Sequence, residues 1–132
     1  MSITDKERKQ FGAIGEEYVA RHLKDKGYTI VERNYHSRYG EIDIIACDGK
    51  YIVFVEVKTR HQNPMYPPAM AVTPAKQKKI IKTAVMYVIK TGNKLQPRFD
   101  VAEVILKKDS NNILNFNYYA SAFIQEGSYA PF

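Results

Sequence analysis

Residues 41–58, EIDIIACDGKYIVFVEVK, decide the fold because they read as two strands joined by a tight turn. Segments 41–47 and 51–58 are rich in apolar and β-branched residues, and Asp48-Gly49 between them tolerates the positive φ angles of a hairpin turn. The second segment is apolar on both faces for most of its length, as expected for a central strand. The stretch therefore predicts a hairpin within a sheet that is covered on both sides.

The same turn predicts the register of the hairpin. If the loop holds two residues, Cys47 faces Lys50, and Asp43 lies opposite Phe54. Directly paired residues share a face of the sheet, and side chains alternate along each strand. Asp43 and Glu56 are then diagonal neighbours, about 5–8 Å apart at Cβ. The residues predicted to share one face are Glu41, Asp43, Phe54, Glu56 and Lys58.

Hydrophobic periodicity predicts the elements outside the hairpin. Apolar residues recur three and four positions apart before Gly27, and Thr73-Pro74 is a typical helix start with threonine as the N-cap. The predicted elements are a helix over 5–26, strands over 28–34, 41–47 and 51–58, a helix from Thr73-Pro74 to Lys90, and strands over 98–106 and 113–119. This order indicates an α/β fold with a three-layer core, a mixed central β-sheet flanked by helices.

Length and composition favour a single globular domain whose basic charge attracts polyanions. The 132 residues suit one domain over 1–132, with a core over about 5–119 and a tail over about 120–132. A charged N-terminus and the lack of a long apolar run predict a cytoplasmic protein without a membrane span. The net charge of +6 attracts nucleic acid. Cys47 is the single cysteine, so no intramolecular disulfide can form.

The acidic residues of the hairpin are the candidate chemistry. Three carboxylates on one face of a central hairpin repel one another, and burying them is costly unless cations neutralise them. Lys58 supplies one positive charge, and Mg²⁺ or Mn²⁺ held by Asp43 and Glu56 would supply two more. Such an ion suits phosphodiester hydrolysis, because it offsets charge on the phosphoryl oxygens. The alternative for Glu56-x-Lys58 is a solvated salt bridge of little energetic weight.

The order of these residues resembles a known family. Asp43 followed by Glu56-Val57-Lys58 is similar to the Asp…Glu-x-Lys signature of the restriction-endonuclease-like superfamily, although Ile42 stands where that signature usually has proline. More closely, the chain resembles the bacterial YraN-like family, which is assigned to that superfamily. The matching segments are Gly12-x-x-Gly15-Glu16, Arg33-Asn34, 40–46, Val53–Lys58 with Arg60, Ala71-Val72, Lys76 and Arg98–Val101.

The resemblance implies a restriction-endonuclease-like core and a set of roles. It implies Asp43 and Glu56 as metal ligands and Lys58 as the catalytic lysine. Related junction resolvases and RecB-like nucleases add a glutamate from the first helix, which Glu16 matches by position. Helical geometry puts Glu16 at the edge of the apolar stripe, where a solvated boundary residue is the alternative.

Basic residues near the hairpin could bind the phosphates of nucleic acid. The candidates are Arg33, Arg38, Arg60, Lys76 and Lys79, with Arg60 nearest to the site along the chain. Glu41 and Gln77 are auxiliary candidates, the latter because RecB-like nucleases often have glutamine there. A lysine run on a helix is otherwise a solvated face. Residues 61–68 hold three of the six prolines and predict an irregular segment, either a lid or a stiff connection.

Three functions remain open from the sequence. The leading one is a Mg²⁺- or Mn²⁺-dependent endonuclease or exonuclease acting on DNA, with branched or single-stranded DNA as candidate substrates. The second is a nucleic-acid-binding module of nuclease fold without turnover, and the third is an interaction domain of a DNA-processing assembly. The sequence leaves the oligomeric state open, a dimer included.

Overall fold

The computed structural model describes residues 4–63 and 72–124 as a five-stranded sheet with two helices. The elements are α1 (Asp5–Asp25), β1 (Thr29–Ser37), β2 (Gly40–Cys47), β3 (Tyr51–His61), α2 (Pro74–Thr91), β4 (Gln96–Leu106) and β5 (Ile113–Phe123). The predicted order of helices and strands is confirmed. Neither helix is long and apolar enough to cross a membrane.

The sheet is mixed and lies between the two helices. Its strand order is β1-β2-β3-β4-β5. The pair β3–β4 is parallel and the other pairs are antiparallel, because α2 carries the chain across one face of the sheet between β3 and β4. One apolar cluster includes Val19 and Leu23 of α1, and a second includes Ile80 and Ala84 of α2. This is the predicted three-layer α/β core.

Both helices begin at threonine caps. The Thr73 hydroxyl accepts a hydrogen bond from the Lys76 N–H at 3.2 Å, with proline in the first turn, as predicted. The Thr4 hydroxyl accepts from the Glu7 N–H at 3.1 Å. The first turn of α2 contains no acidic residue. The positive end of its backbone dipole is therefore not neutralised by its own side chains.

Gly15 allows α1 to approach the centre of the sheet closely. A Cβ at this position would lie 1.8 Å from the Thr59 hydroxyl oxygen, which no side chain could do without moving its neighbour. The next residue, Glu16, is thereby brought down toward the strands. This contact is the local reason that α1 contributes to the candidate site.

The predicted register of the β2–β3 hairpin is wrong by one step on each strand. Cys47 pairs with Ile52, and Asp48 takes the position before a two-residue loop. Its carboxylate accepts hydrogen bonds from the N–H groups of Lys50 at 2.8 Å and Tyr51 at 2.6 Å. The short acidic side chain thus organises the turn from its first position, which is a common use of aspartate. The predicted residues still share one face of the sheet, because each residue's partner changes by two positions and side chains alternate along a strand with a period of two.

Several strands run further than predicted. β1 ends at Ser37 rather than 34, and β5 ends at Phe123 rather than 119. β3 continues to His61, because its parallel ladder with β4 persists as far as the His61–Leu106 pair. The start of the predicted irregular segment is therefore strand, and its residues 64–68 lie outside the described residues.

Candidate active site

Asp43 and Glu56 meet where β2 and β3 separate. The last ladder pair is Ile44–Val55, and the same register continued by one residue sets Asp43 opposite Glu56. The Asp43 carboxylate accepts a hydrogen bond from the Val57 N–H at 2.7 Å, so it takes the place of a strand partner. The two carboxyl groups also share a hydrogen bond. They are direct neighbours rather than the predicted diagonal ones.

The pair is strongly perturbed because it is buried and acidic. The Glu56 side chain is 11% exposed. Burial, then the hydrogen bond and charge of Asp43, raise the pKa of Glu56 to about 8. The Lys76 ammonium lies 3.5 Å from a Glu56 carboxylate oxygen and acts in the opposite direction. Because Lys76 is 49% exposed, water weakens its attraction for the Glu56 carboxylate.

Glu16 reaches the same acidic group from α1. Its pKa is raised, first by burial and then by the negative charge of Asp43, with a smaller contribution from Glu41. A hydrogen bond with Asn34 and the charge of Arg33 lower it in part. Glu16 therefore lies close enough to Asp43 for the charge of Asp43 to raise its pKa.

Asn34 lies beside the site, although the sequence named it only within the matching segment Arg33-Asn34 and gave it no role. Its φ of 52° lies in the left-handed region, where asparagine is tolerated better than most residues. It lies between the Arg33–Ile44 and Tyr35–Ile42 pairs of the β1–β2 ladder, and its side chain is a hydrogen-bond partner of Glu16. The available signal was an asparagine within an otherwise β-rich segment, which is typical of a local backbone irregularity.

Lys58 lies two residues beyond Glu56 on β3, on the face of the sheet that α2 covers. The alternation of side chains gives both residues this face, because Val55 and Val57 pack against the α1 cluster. A cleft of about 460 Å³ separates this part of β3 from the start of α2. Its lining residues are Glu56, Val57, Lys58, Thr59, Arg60, Val72, Thr73 and Lys76.

Of the predicted phosphate-binding residues, Arg60 and Lys76 line this cleft. Lys79 lies further along α2 and packs on the β1–β2 turn, since a Cβ on Gly40 would be 3.3 Å from the Lys79 Cβ. The cleft is thus basic at Arg60 and Lys76 and acidic at Glu56.

Arg33 and Arg38 are engaged outside the cleft. Arg33 donates to the carboxylate of Glu17 at 2.9 Å. Arg38 donates to the hydroxyl of Tyr39 at 2.9 Å and lies over its ring. Arg33 still acts on the site through its charge near Glu16, whereas Arg38 belongs to the β1–β2 turn.

The two auxiliary candidates also have other partners. Glu41 pairs with the imidazole of His36 at 3.3 Å and is exposed. Gln77 donates to the carbonyl oxygen of Val72 at 2.8 Å, which fixes the chain just before α2. The contact supports one wall of the cleft and does not reach the acidic pair.

The donors present suit a hard cation with few protein ligands. Within residues 4–63 and 72–124, no three or more histidine, cysteine, aspartate or glutamate side chains surround one point. Mg²⁺ is commonly bound through one or two carboxylates, with water and substrate oxygens completing its shell. Asp43 and Glu56, both partly buried and side by side, offer that number of carboxylates.

The fold and site define an α/β protein with a buried acidic pair beside a basic cleft. The family model described as "Uncharacterised protein family UPF0102" matches residues 15–104. A UPF0102 protein of Clostridium botulinum strain Loch Maree is 49% identical over 112 residues, covering 83% of this chain and 87% of its own. One from Caldanaerobacter subterraneus subsp. tengcongensis is 42% identical over 117 residues, covering 88% and 96%. The chain belongs to the UPF0102 family.

Proposed function

We propose that this protein is a metal-dependent nuclease that hydrolyses phosphodiester bonds of DNA. The observation that carries the proposal is the juxtaposition of Asp43 and Glu56, two acidic groups side by side at the end of the β2–β3 ladder, with the Glu56 side chain only 11% exposed. Such a pair is costly in an apoprotein and becomes favourable when a divalent cation lies between the oxygens. The resemblance to nucleases of the restriction-endonuclease-like superfamily supports the same reading.

Asp43 and Glu56 would hold the ion. Bound there, Mg²⁺ or Mn²⁺ supplies Lewis-acid stabilisation of phosphoryl oxygens and lowers the pKa of coordinated water. Asp43 is well fixed for this role, because the Val57 N–H holds one of its oxygens. Glu16 would add negative charge from the α1 side, and Asn34 is its hydrogen-bond partner there.

The basic residues around the cleft would bind the substrate. Lys58 projects from the same face of β3 as Glu56 and can stabilise charge on a phosphate there. α2 contains five lysines and no acidic residue, so its whole length attracts a polyanion. Its first turn also directs the positive end of the helix toward the cleft, which Thr73 and Lys76 line.

Calorimetry and cleavage assays test the proposal. We expect Mn²⁺ to bind the wild-type protein and to bind Asp43→Asn much more weakly. Duplex, single-stranded and branched DNA should be cut with Mg²⁺ or Mn²⁺, and Asp43→Ala and Glu56→Ala should abolish cutting. Asp109→Asn, an exposed carboxylate after β4, is the control for a general loss of negative charge.

Two results would contradict the proposal. Wild-type binding of Mn²⁺ that survives Asp43→Asn unchanged would place the ion elsewhere. Salt-sensitive binding of DNA without cutting of any substrate would favour a binding module, because phosphate contacts release counterions whether or not hydrolysis follows.

A further inference from the structure

Glu103 of β4 is buried against the wall of the cleft without a full set of partners. It has no exposed surface, and it pairs with Lys58 in the parallel β3–β4 ladder, on the face that α2 covers. One carboxylate oxygen accepts a hydrogen bond from the Asn117 side chain at 3.1 Å. The other lies 3.8 Å from the Arg60 Nε, and neither of these two atoms has a hydrogen-bond partner within the described residues.

This contact differs from a pair that stabilises the fold. A carboxylate without exposed surface is costly unless donors satisfy both of its oxygens. A separation of 3.8 Å keeps the electrostatic attraction to Arg60 but is too long for a hydrogen bond. Glu103 therefore attracts Arg60 to the wall of the cleft without accepting a hydrogen bond from its Nε. Arg60 remains 27% exposed there.

We infer that Glu103 is a positioning residue that holds Arg60 at the cleft wall to bind a phosphate group of nucleic acid, an inference that rests on the proposed function for its ligand. Arginine presents a planar fork of donors that matches a phosphate. Across the cleft lie Lys76 and the capped start of α2, which also favour an anion.

A salt titration of DNA binding tests this role. Binding of a short fluorescent single-stranded DNA is measured by anisotropy in EDTA at several salt concentrations, for wild type, Glu103→Gln, Arg60→Ala and the double variant. Glu103→Gln keeps the shape and the acceptor for Asn117 but removes the charge. Each single variant should weaken binding about tenfold, as expected for one lost hydrogen bond to a charged group. Each should lower the slope of log K against log salt by about 0.7, the value for one phosphate on a single strand.

The sign of the effect separates positioning from a simple change of charge. Removing a negative charge beside a polyanion site would by itself tighten binding. Weaker binding by Glu103→Gln, with no further loss in the double variant, therefore supports the inference. Binding by Glu103→Gln that is equal to or tighter than wild type overturns it, as do additive losses in the double variant. Asn117→Ala is the control, because it alters the surroundings of the same carboxylate without removing its charge, and it should keep the wild-type slope.

The test does not depend on catalysis. Because EDTA removes divalent ions, the slopes are measured whether or not the protein cuts DNA. If the variants show the lowered salt slopes but wild type cuts no DNA, the proposed function is contradicted and the phosphate site at Arg60 stands. If wild type cuts DNA but the variants keep the wild-type slope, the proposed function stands and the inference about Glu103 and Arg60 is contradicted. Should Glu103→Gln fail to fold, as judged by circular dichroism, Arg60→Ala still decides, because a wild-type slope in that variant overturns the inference.

Discussion

Two buried acidic centres of this protein differ in how their charge is satisfied. Asp100 on β4 has no exposed surface and accepts hydrogen bonds from Arg98, the Tyr118 hydroxyl and the Ser121 N–H. Arg98 reaches it through two nitrogens, the closer at 2.8 Å. The other centre sets Glu56 against a second carboxyl group, and the half-exposed Lys76 forms an ion pair with it at 3.5 Å.

The contrast separates a structural acid from a functional one. At Asp100 the guanidinium neutralises the charge, and its own pKa is raised by that contact. The pKa of Tyr118 is raised by burial and then by the charge of Asp100, so its hydroxyl remains a donor. At Glu56 the raised pKa signals an unmet need for positive charge. Within one sheet, the acid at Asp100 is paired with a cation and two further donors, and the acid at Glu56 faces a second carboxyl group, where we propose that a cation binds.

The largest effect on stability should come from removing Asp100, the acid whose hydrogen bonds are all satisfied. Asp100→Ala leaves the buried guanidinium of Arg98 without its anion and should cost about 3–5 kcal/mol of unfolding free energy. Urea denaturation at pH 7 measures it. Asp109→Asn should change stability by less than about 0.5 kcal/mol, because it is exposed. A loss at Asp100 no greater than at Asp109 would remove the contrast between the two centres.

A smaller loss should follow from disturbing the approach of α1 to the acidic pair. Gly15→Ala places a methyl group against Thr59 and should destabilise the protein by about 1–3 kcal/mol through overpacking. Gly12→Ala on the same helix meets nothing within 4 Å and should stabilise by about 0.4–1 kcal/mol. Thermal or urea unfolding compares the two variants, and equal effects would argue against a tight contact at Gly15.

Removing the charge of Glu56 should change stability in the opposite direction from removing Asp100. Glu56→Gln removes a buried carboxyl group that faces Asp43 and should stabilise the metal-free protein by about 0.5–2 kcal/mol, the usual gain when an active-site group is neutralised. Urea unfolding in EDTA measures the gain. Mn²⁺ should then stabilise wild type and leave the variant unchanged. A loss of stability in EDTA would mean that Glu56 is a structural acid like Asp100.

The smallest effect concerns His22, which packs edge-on against Phe116 and beside Tyr118 near the centre at Asp100. Burial and then Lys26 lower its pKa, against a smaller effect of Asp25. The unfolded chain therefore binds a proton first, so this part of the stability is full above about pH 6.5 and is lost as the pH falls below it. His22→Phe should flatten that decline in urea midpoints measured between pH 7.5 and 5. A parallel decline in the variant would assign it to other groups.

Local signals made most of the fold predictable. The Thr73-Pro74 start of α2 and the strand–turn–strand pattern around Asp48 each depend on a few neighbouring residues, and both are present. The register was wrong because either Asp48 or Lys50 could complete a two-residue loop with Gly49. The carboxylate of Asp48, which accepts two backbone N–H groups, decided between them.

The candidate site could be predicted from the sequence only in part. Residue alternation was enough to bring Asp43 and Glu56 to one place, since both belong to a single hairpin. Arg98 lies only two residues from Asp100 on β4, but the other partners of Asp100 and both partners of Glu103 lie on other strands. No local pattern therefore showed that one acid is fully paired and the other is not. The contact between α1 and Asp43 likewise depends on tertiary packing.

The unbroken parallel ladder between β3 and β4, from Tyr51–Gln96 to His61–Leu106, has a consequence for how the molecule assembles. Its partners are about 45 residues apart in sequence, so the chain must close a long loop through α2 before any of these hydrogen bonds can form. Such distant pairing slows folding, whereas the β2–β3 hairpin can close early. During folding, Asp43 and Glu56 would therefore come together in the β2–β3 hairpin before β4, which carries Glu103, pairs with β3.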